Sequence, residues 1–124
     1  MRNATTPAPA EAGRDPYRPD ITTMRAAVRR LLADDAEPPS PEELDTLTLQ
    51  LRGHIMVLIP QVEKATGRLP EDDVPRACAM ACVGEARMRL SLEPGRGLPA
   101  GISHAQRLAR SVNALADHLE NLTP

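Results

Sequence analysis

The sequence predicts an all-α protein: a four-helix, antiparallel, bundle-like domain behind a disordered N-terminal tail. Three observations predict it. Apolar residues recur every three to four positions in four separate stretches, which is the spacing of one helix face. No stretch alternates polar and apolar residues for long enough to form a strand. The apolar residues are Leu, Ile, Val, Met and Ala, with no Phe, no Trp and a single Tyr17, a set that favours helices over strands.

Residues 1–19 contain Pro7, Pro9, Pro16 and Pro19 among Ala, Thr and charged residues. They carry too little apolar surface to offset ordering, so a disordered tail is expected there, with the helical domain over 20–124. The first helix is expected over about 21–35, with Asp20 as cap and Ile21, Met24, Val28 and Leu31 on its apolar face. "AEPPSP" ends it. The second, over 41–66, starts at Ser40 with Pro41 as first helical residue and Glu43 closing a capping box. Its stripe is Leu44, Leu47, Leu51, Ile55, Leu58, Val62 and Ala65, and Gly67 reads as the residue after its C-cap. Pro60 inside it predicts a bend, with the proline facing away from the stripe. The third helix is expected over 74–92, entered through acidic residues that suit the positive end of a helix dipole. The fourth is expected over 99–122, with Ile102, Ala105, Leu108, Val112, Leu115, Leu119 and Leu122 facing inward. Short connections among the last three helices predict antiparallel neighbours.

Composition excludes several classes. In 124 residues, 15 basic and 17 acidic side chains nearly cancel, so the basic face of a nucleic-acid-binding domain is not expected. Base stacking needs aromatic faces that the folded part lacks. There is no apolar run of about 18 residues to span a membrane, and the start has no apolar core of a signal peptide. A cytoplasmic protein with reduced thiols is the expectation. A domain of this size needs no metal or disulfide to fold.

"ELDTLTLQLRGHIMVLIPQVE", "LPEDDVPRACAMACVGEARMRL" and "GLPAGISHAQRLARSVNALADHLENL" carry a resemblance. Over residues 20–122 the chain resembles an actinobacterial, Streptomyces-type family of small proteins of unknown function labelled natural product biosynthesis proteins. "RGHI…IP", "DDVPRA" and "GEAR" are its more specific stretches. Where that family often has "DHYE", this chain has Asp117-His118-Leu119-Glu120. The resemblance implies a setting in secondary metabolism and no particular reaction.

Cys78 and Cys82 lie four residues apart on the third helix. A helical wheel places Val74, Ala77, Cys78, Ala81, Cys82 and Leu92 on its inward face, with Arg76, Met80 and Arg87 opposite. Free cysteine behaves as a small apolar group, so both thiols are expected in the core. Their Cβ atoms, about 5–6 Å apart, are too far for a disulfide. A zinc site needs four ligands, and His104 and His118 are about 21 Å apart along one helix. No metal or other cofactor is expected.

The same wheel puts Glu85 on the inward face, where a carboxylate needs a partner. Arg89 lies one turn on. Level-matching of antiparallel helices adds Arg52, His54 and Arg107, a candidate polar centre at mid-height. Two readings stand: an ion-pair network that fixes helix register, and a ligand-binding or catalytic centre with a perturbed carboxylate. Gly95-Arg96-Gly97 is expected to be a plain helix connection rather than an anion loop. His104, Ser111 and His118 are expected at the edge of the fourth helix's core.

Leu49, Gly53, Met56 and Pro60 lie on the second helix opposite its main stripe, making it apolar nearly all round. That pattern marks a central helix or one that contacts a second chain, and these four residues are the candidate interface. Three functions follow. The leading one is a non-catalytic accessory or regulatory protein acting through protein–protein contact, with a protein partner or a second copy. The alternative is a small-molecule-binding bundle or weak enzyme centred on Glu85. Direct DNA binding is disfavoured by the neutral charge.

Overall fold

A computed structural model describes residues 19–123. Apart from Pro19, the tail expected over 1–19 lies outside the described residues. Four helices follow: α1 (Ile21–Leu32), α2 (Pro41–Thr66), α3 (Val74–Ser91) and α4 (Leu98–Leu122). The described residues contain no strand.

The caps explain the boundaries. Asp20 accepts the Thr23 amide at 3.1 Å and its hydroxyl at 2.7 Å. α1 stops at Leu32 and not at 35, because Ala33 turns to extended backbone. Asp34 and Asp35 would sit at the negative end of the dipole, where acidic groups are unfavourable. Ser40 caps α2 by accepting the Glu43 amide at 3.1 Å. The Glu43 carboxylate is held by Arg30 through bonds of 2.7 and 2.6 Å instead of completing the box, so it ties the end of α1 to the start of α2. Gly67 is right-handed, at φ −62. The chain leaves α2 through short bonds such as Leu69 N–H to Thr66 C=O at 3.0 Å, without a left-handed cap. Asp73 caps α3 by accepting the Arg76 amide at 2.9 Å. Gly97, at φ 90, makes the turn into α4, a conformation that favours glycine.

α2 and α4 form the central pair. They run parallel: Gly101 near the start of α4 packs on Leu44 near the start of α2, and both helices end around a cleft lined by Lys64, Ala65, Leu119 and Thr123. α1 and α3 run antiparallel to this pair on opposite sides, without approaching each other. Leu51, Ile55, Leu58 and Val62 of α2 are sealed against Leu108, Val112 and Leu115 of α4. Ala105, Ala109 and Ala116 are fully buried as well, and their short side chains let the two helices close up along the diagonal of the bundle. α1 leans more on α4 than on α2. Its Arg25 bonds Asn113 at 2.6 Å and Asp117 at 2.8 Å and pairs with Glu120.

α3 faces the opposite way from the wheel's expectation. Ala79, Val83 and Ala86 are buried, Leu90 and Cys82 pack partly against the core, and Val74, Ala77, Cys78, Ala81 and Leu92 are exposed. The reason is physical. The small residues of α3 differ little in burial energy, so the large and charged side chains decide. Arg76 reaches the Leu69 carbonyl at 2.8 Å and Arg87 reaches Glu63 at 2.7 Å, while Arg89 reaches α4. Their stems flank the 79–83–86–90 stripe, and in this orientation their heads find partners.

The cysteines therefore part company. Cys78 is exposed and Cys82 half-buried, and burial first, then the Glu85 charge, pushes the Cys82 thiol up. Since the thiolate is the reactive form, Cys78 should be modified by a thiol reagent at least about tenfold faster than Cys82. Mass-mapped alkylation of the native protein checks this. Cys78→Ala should change stability by no more than about 0.5 kcal/mol.

Candidate functional site

The five residues of the expected polar centre do not converge. Glu85 is on the surface, its side chain 52% exposed, and pairs with Arg89 at 2.5 Å. Arg89 also donates to the Ser111 hydroxyl at 2.9 Å and the Arg107 carbonyl at 3.0 Å. The expected meeting of α3 with α4 near Arg107 is thus made by Arg89, and only to the backbone of Arg107. On the α2 side the expected register is wrong. Glu63 meets Arg87 at 2.7 Å and the Thr66 hydroxyl meets the Met80 sulfur at 3.3 Å. Glu85 is therefore level with about Ala65, roughly three turns from Arg52 and His54. The connection at Leu69–Asp73 is tighter and placed later than an ideal hairpin centred on residue 70 implies, because Arg68 and Leu69 still close turns onto Ala65 and Thr66.

The separation leaves Glu85 in an exposed pair with Arg89. An exposed pair is worth about 0–1 kcal/mol, so Glu85→Gln should cost no more than about 0.5 kcal/mol. Arg89→Ala leaves the buried Ser111 hydroxyl without its donor and should cost about 1–3 kcal/mol. Denaturant melts of the two variants compare them directly.

His54 is half-buried on the α1 side. Burial holds its pKa below the usual range, and the acidic group that acts on it is Asp20, not Glu85. His104 is a correction: expected at the edge, it is only 6% exposed. Ser111 is buried too, and His118 half-buried. The His104 imidazole makes no hydrogen bond to a described residue. Burial lowers its pKa, the Arg52 and Arg107 charges lower it further, and Glu93 opposes them. The charges of Arg52 and Arg107 thus act on His104. Sequence reasoning missed this influence because Arg52 and His104 are 52 positions apart and are brought near only through the parallel α2/α4 pairing.

Both histidines have pKa values below the unfolded 6.5. They stay neutral in the fold while the unfolded chain takes up a proton. Their stabilising contribution is complete above pH 6.5 and is lost as the pH falls below it. Stability should decline from pH 6.5 downward, before carboxylates titrate at about pH 4. The decline should be shallower in His104→Gln, as equilibrium melts across that range would show.

The candidate interface is open. Leu49 is 72% and Met56 63% exposed, and Val57, which the sequence reading did not include, is exposed beside them. Gly53 and Pro60 are exposed on the same face. α1 leaves it uncovered, packing more on α4 than on α2. Gly95 and Arg96 lie in the exposed α3–α4 connection. Among the described residues no group of His, Cys, Asp and Glu is arranged to hold a metal ion, and no helix is long and apolar enough to cross a membrane.

Fold and surface together define a small helical protein with a closely packed parallel central pair and an uncovered apolar strip on the outer face of α2. The chain belongs to a family of unknown function, DUF6415, whose model matches residues 22–124. No curated protein and no solved structure matches it.

Proposed function

We propose that the protein is a non-catalytic accessory or regulatory protein that works by protein–protein contact through the outer face of α2. The observation that carries this reading is the unbroken apolar strip Leu49–Gly53–Met56–Val57–Pro60, exposed on a helix whose other side is the centre of the core. Exposed apolar residues grouped in this way mark interaction surfaces. The resemblance of the "RGHI…IP", "DDVPRA" and "GEAR" stretches supports a place in actinobacterial secondary metabolism, and the two free cysteines suit a cytoplasmic setting. The alternative centred on Glu85 draws less support, because Glu85 is exposed and pairs with Arg89 alone among its expected partners.

The test is a pull-down from the native host, run beside a sizing column, with wild type and a Leu49→Glu/Met56→Glu double variant. Both side chains are exposed, so the variant should melt like wild type. The expected result is a stoichiometric partner, or a second copy, that the variant loses. A lone monomer, or a partner retained by the variant, would contradict the proposal.

A further inference from the structure

Gly53 stands at the centre of the exposed α2 strip, one turn after Leu49 and one turn before Met56 and Val57. Glycine inside a helix is destabilising relative to alanine. Nothing within the chain calls for it here, since a Cβ at Gly53 would meet no atom within 4 Å. Gly101 is the contrast: a Cβ there would strike Leu44 at 2.9 Å, where α4 packs on α2. A glycine on an open helix face lets another backbone approach closely.

No exposed residue of α2 between Asp45 and Lys64 is charged. The two ends of the face carry opposite charges, with Glu42 in the first turn and Lys64 in the last. Both are exposed, and neither side chain bonds to a described residue. Each suits its own end of the helix dipole. Their spacing adds a second property: Glu42 and Lys64 stand eleven residues to either side of Gly53. Across a two-fold axis at Gly53, the acid of one α2 therefore comes level with the base of another running the opposite way. A parallel pairing would set Glu42 against Glu42.

We propose that the occupant of the α2 face is a second copy of this chain, its α2 lying antiparallel across the first with the two Gly53 residues at the two-fold axis. The inference rests on the reading of the α2 face given above and names its partner. A two-fold interface uses one patch twice, so the patch has to complement itself. This one does. Leu49 stands four residues before Gly53 and Met56 three after it, on the same edge of the strip, so each Leu49 lies within about 1.5 Å of the level of the other copy's Met56. Gly53 meets Gly53, which lets the helices close up at the centre, and an ion pair forms at each end. One helix pair buries less than the standard interface of about 1,600 Å², so the association is weak and depends on concentration.

Disulfide trapping of the full chain, in a Cys78→Ala/Cys82→Ala background, tests the register. Leu49→Cys protein is mixed with isotope-labelled Met56→Cys protein under mild oxidation. The mixed 49–56 disulfide should form at least about tenfold faster than either like-with-like one, because the antiparallel register leaves the two 49 positions about 12 Å apart along the axis and the two 56 positions about 9 Å. A parallel pair gives the reverse. Sedimentation of the wild type should show a monomer–dimer equilibrium. Gly53→Leu meets nothing in the monomer, so it should melt no lower than wild type while weakening self-association about tenfold or more. Glu42→Lys and Lys64→Glu should each weaken it too, and an equimolar mixture of the two should restore it, since the mixed pair matches charge at both ends. The proposal is overturned if the purified protein stays monomeric up to about 1 mM, if like positions trap as fast as the mixed pair, or if folded Gly53→Leu self-associates like wild type. Capture of a different protein by this face, without self-association, overturns the second copy and leaves the reading of the α2 face standing.

Discussion

Ala79→Asp is expected to cost about 3–5 kcal/mol, the penalty for an unpaired buried charge. Ala81→Asp, two residues on, should change stability by no more than about 0.5 kcal/mol. Ala79 is fully buried between α3 and the central pair, and an aspartate there loses its hydration beside the apolar Val83 and Ala86. Ala81 is exposed. The contrast matters because the wheel read from sequence predicts the reverse, with Ala81 inside. A domain of this size has about 5–15 kcal/mol to lose, so Ala79→Asp should be largely unfolded at modest urea concentrations at which Ala81→Asp is intact. Urea titration followed by circular dichroism gives both numbers.

Leu108→Ala should cost about 3–4 kcal/mol, within the range for a fully buried leucine truncated to alanine. Leu108 is sealed at the contact of α2 and α4. That contact is made of fully buried side chains from two parallel helices, so it should collapse little around a deletion. In a domain of about 100 residues each kcal/mol moves the midpoint by roughly 4–8 °C, a shift of more than about 12 °C in a thermal melt. Met56→Ala is the reference on the same bundle: 63% exposed, it should move the midpoint by no more than a few degrees.

The two substitutions also divide what was legible in the sequence from what was not. α1 and α4 carry large aliphatic residues on one side and polar ones on the other, and α2 carries a complete stripe of them whatever its outer face holds. Their stripes were read correctly: Met24, Val28 and Leu31; Leu44 through Ala65; Leu108 through Leu119. Ser40, Asp20 and Pro41 marked helix starts because capping is local chemistry. α3 was misread because Ala77, Cys78, Ala79, Ala81 and Cys82 bury similar small areas. A sum over such residues hardly distinguishes one face from another. The signal was nevertheless there, in Ala79, Val83, Ala86 and Leu90 at spacings of four, three and four. Weight on the bulky Val83 and Leu90, and on arginines that need partners at the flanks, would have found it.

The polar centre failed for a related reason. Level-matching assumes where the turn lies, and an error of one or two turns moves Glu85 from His54 to Ala65. The register was instead set by Glu63–Arg87 and Thr66–Met80, pairs that are unremarkable in the sequence. Likewise, α2 and α4 become parallel neighbours only when the bundle closes along one diagonal. The influence of Arg52 and Arg107 on His104 therefore belongs to the tertiary structure alone. The open face of α2 was readable, since Leu49, Met56 and Pro60 lie opposite a complete core stripe. What the sequence did not decide was whether α1 would cover it, and the Arg25 contacts to α4 answer that.

The central claim is that the outer face of α2 is the working surface of the protein. A photo-crosslinking residue placed at position 56, with a second protein carrying the same residue at exposed Arg110 on α4, tests it most directly in the native host. The account predicts one discrete adduct from position 56, none from position 110, and loss of the adduct when Leu49→Glu is added to a protein that still melts normally. No adduct from position 56, or equal adducts from both positions, would contradict it.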